Sequence, residues 1–361
     1  AFSAGYGMQG HVIQPLLVSD MFLDLTDFDT IDYERPWWPE TLRESYTIGD
    51  SMYLLNGPIV SFHYQDAASI VFNKTLATDY AVADPYEIVK SGEWTYDKMF
   101  ELASNVPENR NGASVYRYCN PEAVGIILSC GYTVTKFDET GKPYVESSLT
   151  KEISDLADKF AVVFGDDSQT AHVKRYSVGQ HESWEDKYDY KGYSALFADN
   201  QALFMFIPTD EAAWLRIEEV QFGILPMPKG SETQESYICQ ASPWGSFQIF
   251  VPKCTKDVDT TDVILEAMAA LGLKYIKPAY YDKILKSRST HDRASKEMID
   301  IVFETKVYDL IDMIAPESFI NALEGAFAEN SSSIASKYLL QAMNVNKNIE
   351  SAIMPNIERD R

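Results

Sequence analysis

An α/β fold is what this 361-residue sequence predicts. Strand-like and helix-like segments alternate along it, 45% of its residues are hydrophobic, and its extended runs end in helix-capping residues. The chain is long enough for two bodies of ordinary size, each with its own core.

The elements follow in order. Asn56-Gly57 reads as the turn of an edge hairpin that leads into a β-branched and aromatic run ending at Phe72. Asn73-Lys74 then opens a helix, and Gly92 to Asp97 (GEWTYD) is the entry to another. Met99, Phe100, Leu102 and Ala103 recur at helical spacing over 97–105. Asp138 to Pro143 is a hairpin turn in which Gly141 takes a positive φ at low steric cost. Leu149 to Phe164 places Ile153, Leu156, Phe160 and Val163 on one helical face. Residues 166–192 are the most polar interval and read as a long surface loop or an excursion beside a cleft. Tyr237 to Pro252 is a strand broken at Pro243-Trp244-Gly245, because proline cannot donate to a ladder. Thr261 can cap the helix that follows, along which Ile264, Met268 and Leu271 line one side until Pro278 interrupts it. Asn330 to Ser333 is a joint before a closing amphipathic helix, Ile334 to Ile353.

Charge and motifs exclude several functions. The net charge of −23, from 31 basic and 54 acidic residues, repels phosphate backbones and anionic lipid, so nucleic acid is not an expected partner. No apolar run reaches the roughly 18 residues a membrane span needs. The first ten residues have neither the basic start nor the apolar core of a signal peptide. Cys119, Cys130, Cys239 and Cys254 form no CxxC or Cys/His cluster, so no metal is expected, and free thiols and disulfides both remain open. There is no GxSxG, HExxH or GxxxxGK[ST], and His11, His63, His172, His181 and His291 are scattered. Gly5 to Gly10 (GYGMQG) spells GxGxxG, but only four residues precede it and Pro15 breaks any helix behind it. A glycine-rich loop fits better than a dinucleotide turn, and no cofactor is expected.

Four segments carry a resemblance. They are Phe72-Asn73-Lys74 with Pro85 to Thr95 (PYEIVKSGEWT), Ala195 to Phe206 (ALFADNQALFMF), Phe222 to Lys229 (FGILPMPK), and the late region Ile264 to Tyr281 with Ser295 to Leu310. In type and order they resemble the carbohydrate-type extracellular solute-binding proteins of ABC importers. The resemblance implies a two-lobed periplasmic-binding-protein-like (type II) fold, with hinge crossings between the lobes. It divides the chain into 1–66 as part of lobe 1, 67–228 as lobe 2, 229–310 as the return of lobe 1, and 311–361 as C-terminal helices mostly on lobe 2. Members of that family begin with βα units that precede anything seen here. The implied activity is capture of a sugar or oligosaccharide, without catalysis, by a monomer outside the cell, anchored or periplasmic, that delivers it to a membrane permease. The competing reading is a glycoside hydrolase-like enzyme using paired carboxylates, for which 54 acidic residues supply too many candidate pairs.

Site candidates combine the resemblance with residue chemistry. An aromatic face stacks on the C–H face of a pyranose while carboxylates and amides hold its hydroxyls. Trp244, between Pro243 and Gly245 in the strand break, and Trp184, among Glu182, Glu185 and Asp186, are the candidate platforms. Gln65 and Asp66 precede the Phe72-Asn73-Lys74 element, where the resemblance places the cleft floor; for Asp66 a surface turn is the alternative. Asn120 and Asp210 occupy strand-to-helix junctions, where helix capping competes with ligand contact. Tyr6, in the glycine-rich loop, is the candidate at the cleft rim. Trp37, Trp38, Trp94 and Trp214 are read as packing.

Overall fold

The computed structural model describes residues 2–3, 17–64, 67–121, 123–171, 196–209, 211–215, 220–241, 248–285, 292–314 and 334–357. Its centre is a five-stranded sheet of β1 (Ala68–Asn73), β2 (Tyr116–Cys119), β3 (Thr170–Ala171), β4 (Ala202–Pro208) and β5 (Phe222–Leu225), in the order β3-β2-β4-β1-β5. β2, β3 and β4 run parallel, and β1 runs antiparallel to both β4 and β5. β1 is buried at all six positions, as a central strand covered on both faces must be.

Each face of the sheet has its own core. Ile70, Phe72, Tyr118, Phe204 and Phe206 join the large cluster on one side, while Val71, Cys119, Met205, Ile207 and Ile224 join the other. On the first side Tyr118, Phe164 and Phe206 meet edge to face at 5.3–5.6 Å, the offset geometry that the ring quadrupole favours. A separate cluster of Leu25, Phe28, Trp38, Leu55, Ile249, Val251 and Leu265 forms the core of a second body.

Local signals produced most of the helices. Asn73 accepts from the Leu76 amide at 3.0 Å, so the Lys74–Asp79 helix starts where β1 ends. Asp84 caps Pro85–Lys90, Thr95 caps Tyr96–Ala103 and Thr150 caps Lys151–Phe164. The hairpin at Gly141 forms, with φ at 76°; a Cβ there would lie 2.7 Å from Gly49 Cα, so the turn packs directly on that backbone.

Four expectations are corrected. Asn56-Gly57 turns no hairpin: Leu55 bridges Ile249 from far along the chain, and the tight turn instead joins Thr47–Ile48 to Ser51–Met52. The helix after Pro252 starts at Val258, capped by Asp257 rather than by Thr261, and continues beyond Leu271 as a π-helix, Gly272–Leu285, that runs through Pro278. Its buried side carries Asp262, Leu265 and Ala269, whereas Ile264, Met268 and Leu271 are 44–50% exposed. Asp262 decides the orientation, because its carboxylate accepts from the Thr30 and Ile31 amides at 2.7 and 3.1 Å.

Candidate functional site

Three segments far apart in the chain, the candidate crossings between lobes, lie edge to edge. Ala67 forms an antiparallel bridge with Ala241, and Cys239–Gln240 pairs in parallel with Lys306–Val307. The Cys239 amide donates to Thr305 O at 3.0 Å and the Ala241 amide to Val307 O at 2.8 Å. This bundle meets the central sheet at the carboxyl ends of β2, β3 and β4. There the Thr209 amide donates to Ala67 O at 3.0 Å, and the Asn120 amide to Ala171 O at 3.0 Å. Open α/β sheets present side chains for ligands at this end, because the strand-to-helix loops leave a crevice there.

Polar side chains tie the crossings to both bodies. Asp309 is buried and accepts from the Val134 amide at 2.7 Å and the Ile311 amide at 3.0 Å, while burial pushes its carboxyl above the usual range. Both Asp312 oxygens accept from Gln240 Nε2 at 3.1 Å. From the Glu40–Tyr46 helix, Thr41 Oγ1 donates to Lys306 O at 3.2 Å and Ser45 Oγ to Tyr308 O at 2.8 Å. Lys306 Nζ donates to His63 O at 2.7 Å and lies over the Phe303 and Tyr308 rings.

His63 is held neutral. Burial pushes its pKa well below 6.5, and Lys306 and Lys277 push in the same direction. Its Nδ1 therefore donates to Asn56 Oδ1 at 3.0 Å, which leaves Nε2 as an acceptor. In the unfolded chain the same imidazole takes a proton below its ordinary pKa, so the unfolded state binds more protons in acid and stability falls as pH drops through that value. For one such group the loss is up to about 1.4 kcal/mol per pH unit. Urea unfolding at successively lower pH should show a shallower acid loss for His63→Gln than for the parent; parallel curves would refute the assignment.

No protein-family model matches the chain, and no curated protein matches it. Solved structures do. The galacto-N-biose/lacto-N-biose I-binding protein of the ABC transporter from Bifidobacterium longum superimposes with a TM-score of 0.60 at 14% identity, over 96% of this chain and 82% of that one. UgpB from Mycobacterium tuberculosis, in complex with glycerophosphocholine, gives 0.59 at 12% identity over 97% and 83%. The ABC substrate-binding protein Lmo0181 from Listeria monocytogenes, in complex with cycloalternan, gives 0.55 at 12% identity over 97% and 84%. The chain has the two-lobed fold of ABC-importer substrate-binding proteins. The resemblance read from the four sequence segments therefore holds at the level of fold.

Within this two-lobed fold, the described sheet end contains one of the seven predicted site residues. Asn120 sits there with φ at 52°, a left-handed conformation that asparagine tolerates better than most residues, and its Nδ2 reaches toward Phe206 O at 3.4 Å. Tyr6, Gln65, Asp66, Trp184, Asp210 and Trp244 lie outside the described residues, as do the GxGxxG segment and Asn330 to Ser333. Their sequence neighbours are informative: Ala67 follows Asp66, Thr209 precedes Asp210, and Ala241 stands three residues before Trp244, and all three belong to the sheet end just described. Among the described residues no group of three His, Cys, Asp or Glu can hold a metal ion, and no helix is long and apolar enough to cross a membrane.

Of the tryptophans read as packing, Trp94 and Trp38 are buried and Trp37 is half-buried. Trp94 is fully buried with Nε1 donating to Pro226 O at 2.9 Å; Trp38 is buried, and Trp37 and Trp38 both donate to Glu266, at 3.2 and 2.9 Å. The cysteines are free, with Cys119 and Cys239 buried and burial pushing their thiols up to about 12 and about 11. Sequence reasoning missed one feature entirely, a groove of about 430 Å³ beside the crossings, between the Trp37 corner, the π-helix and Phe303. Its lining residues come from five separated stretches, so no local pattern announces it.

Proposed function

We propose that this chain is the extracellular substrate-binding component of an ABC importer, capturing a sugar or oligosaccharide between its lobes by hinge closure and handing it intact to a membrane permease. The observation that carries the reading is the bundle of crossings at the carboxyl ends of the parallel strands. A bundle of narrow, paired segments can bend while two well-packed cores move as rigid bodies. In this reading the lobes divide at the boundaries given above: 1–66 and 229–310 against 67–228 and 311–361. The protein works as a monomer at the cell surface or in the periplasm.

The proposed binding residues are Asn120, at the described sheet end, Gln65, Asp66, Asp210 and Trp244, which are near neighbours in sequence of residues at that end, and the candidates Trp184 and Tyr6. Trp244 supplies the stacking face, and Asp66 orients hydroxyls as a two-oxygen acceptor. The proteins of like fold support a sugar as the ligand, since they include ones whose ligands are lacto-N-biose and cycloalternan. Closure needs the ligand to prefer the closed form: a shift from 1:99 to 99:1 requires about 5.5 kcal/mol of differential affinity, within reach of a few stacking and charge-assisted contacts.

A screen of neutral oligosaccharides by intrinsic tryptophan fluorescence tests this directly. One of them should shift the emission and saturate it, raise the melting temperature, and be recovered unchanged after long incubation. New reducing ends in the recovered sugar would replace this reading with the hydrolase one.

A further inference from the structure

The groove beside the crossings has the chemistry of a binding site in its own right. Its volume of about 430 Å³ lies in the range of small-ligand pockets. Its polar lining carries both signs: Lys277 and Lys306 stand with Glu40, Asp282, Asp300 and Glu304. Lys277, Asp282 and Glu304 make no ion pair among the described residues, so charged donors and acceptors remain available around one space. A pocket selective for an ion presents a single sign. A pocket presenting both suits a ligand whose groups each donate and accept, which describes a hydroxyl.

The aromatic walls are held in place before any ligand arrives. Trp37 is fixed by its indole N–H on Glu266, at 3.2 Å, and Arg35 covers its ring at 6.0 Å. Tyr281 donates to Asp300 Oδ1 at 2.9 Å, and its ring packs against Phe303 at 5.2 Å and Tyr64 at 5.5 Å. Rings locked by hydrogen bonds lose little entropy when a ligand stacks on them. His63 also lines the groove, and as a neutral imidazole it brings no cation to attract an anion.

From these features we propose that the groove lined by Trp37, His63, Lys277, Tyr281, Asp282 and Glu304 is a second ligand site, taking a neutral polyhydroxylated molecule of mono- or disaccharide size. The site stands on the groove alone. Its effect on closure rests on the reading above: His63 and Tyr64 lead into one crossing and Lys306 and Tyr308 belong to another, so an occupant touches segments that bend at the hinge.

The test titrates the whole chain with glucose, maltose, lactose and trehalose, followed by calorimetry and tryptophan fluorescence, with choline chloride and inorganic phosphate as charged probes. At least one sugar should bind in a manner weakened about tenfold or more by Lys277→Ala and by Glu304→Gln, the loss expected for one charge-assisted hydrogen bond. Asp66→Asn should leave this event in place, and Trp37→Phe should remove its fluorescence signal. Because Lys277 and Glu304 make no side-chain hydrogen bond or ion pair among the described residues, both variants should melt with the parent; a variant that melts earlier means that its side chain supports the fold, and that result counts against the site. The proposal fails if every sugar-binding event vanishes with Asp66→Asn and is indifferent to Lys277→Ala. It fails equally if choline or phosphate, and no sugar, binds in the Lys277-dependent way. A parent chain that shows only the Lys277-dependent event, with no binding that Asp66→Asn or Trp244→Ala weakens, would overturn the importer reading and leave this one standing.

Discussion

Trp94→Ala should cost about 3–5 kcal/mol of unfolding free energy, the range for deleting a fully buried large aromatic side chain. Trp94 is 0% exposed, its ring packs on Phe204 at 5.7 Å, and its indole N–H satisfies Pro226 O at 2.9 Å. Its backbone is also part of the framework: the Lys229 amide donates to Trp94 O, and the Tyr96 amide to Lys229 O, both at 3.0 Å. Truncation therefore leaves a cavity beneath the central sheet and an orphaned carbonyl in the same place, two costs that add. Trp94→Phe keeps most of the volume and loses the donor, so it should fall between parent and alanine variant. Urea unfolding followed by circular dichroism gives both values. A loss below about 1 kcal/mol for the alanine variant would mean that the site collapses around the gap, and that Trp94 is not the anchor described here.

The second large effect is expected on binding. Trp244→Ala should weaken the sugar found in the fluorescence screen by at least about tenfold, because one stacked ring and its desolvated face contribute on the order of 1.5 kcal/mol or more. The melting temperature without ligand should not move. Asp66→Asn should produce a similar loss by removing the charge from the acceptor that orients the hydroxyls. Calorimetric titration of the three proteins with the same sugar decides the matter. Unchanged affinity together with a lowered melting temperature would show that Trp244 packs inside a lobe and takes no part in binding.

Much of the fold was legible in the residues. The run Ala68 to Asn73 read as a buried strand because β-branched and aromatic side chains cluster there, and Asn73 and Thr95 read as helix starts because a short polar side chain can reach an amide three residues on. The Lys151–Phe164 helix read instead from the spacing of Ile153, Leu156, Phe160 and Val163, and Thr150 caps its start. Trp94 and Trp38, read as packing, are buried, whereas Trp37 is half-buried and lines the groove. The Val258–Leu271 helix is where this reasoning failed. Its sequence offers two apolar sides, and periodicity alone cannot say which one meets a core; Asp262 reaching Thr30 and Ile31 settles it across more than 230 residues. For the candidate site, the junction at Asn120 was legible from its place between a strand and a helix, whereas the pairing of Ala67 with Ala241 was not.

By itself the sequence determined the α/β class, the helix starts at Asn73 and Thr95, the extended run that becomes β1 and the strong net negative charge. Each depends on contacts within a few residues or on summed charge, and both are properties of the chain before it folds. Only the tertiary structure decided the strand order, the exposed side of the Val258–Leu271 helix, the edge-to-edge packing of the crossings and the existence of the groove. Those features join residues far apart in the chain, and the free energy that selects among such pairings comes from packing and hydrogen bonding that exist only once the lobes have formed.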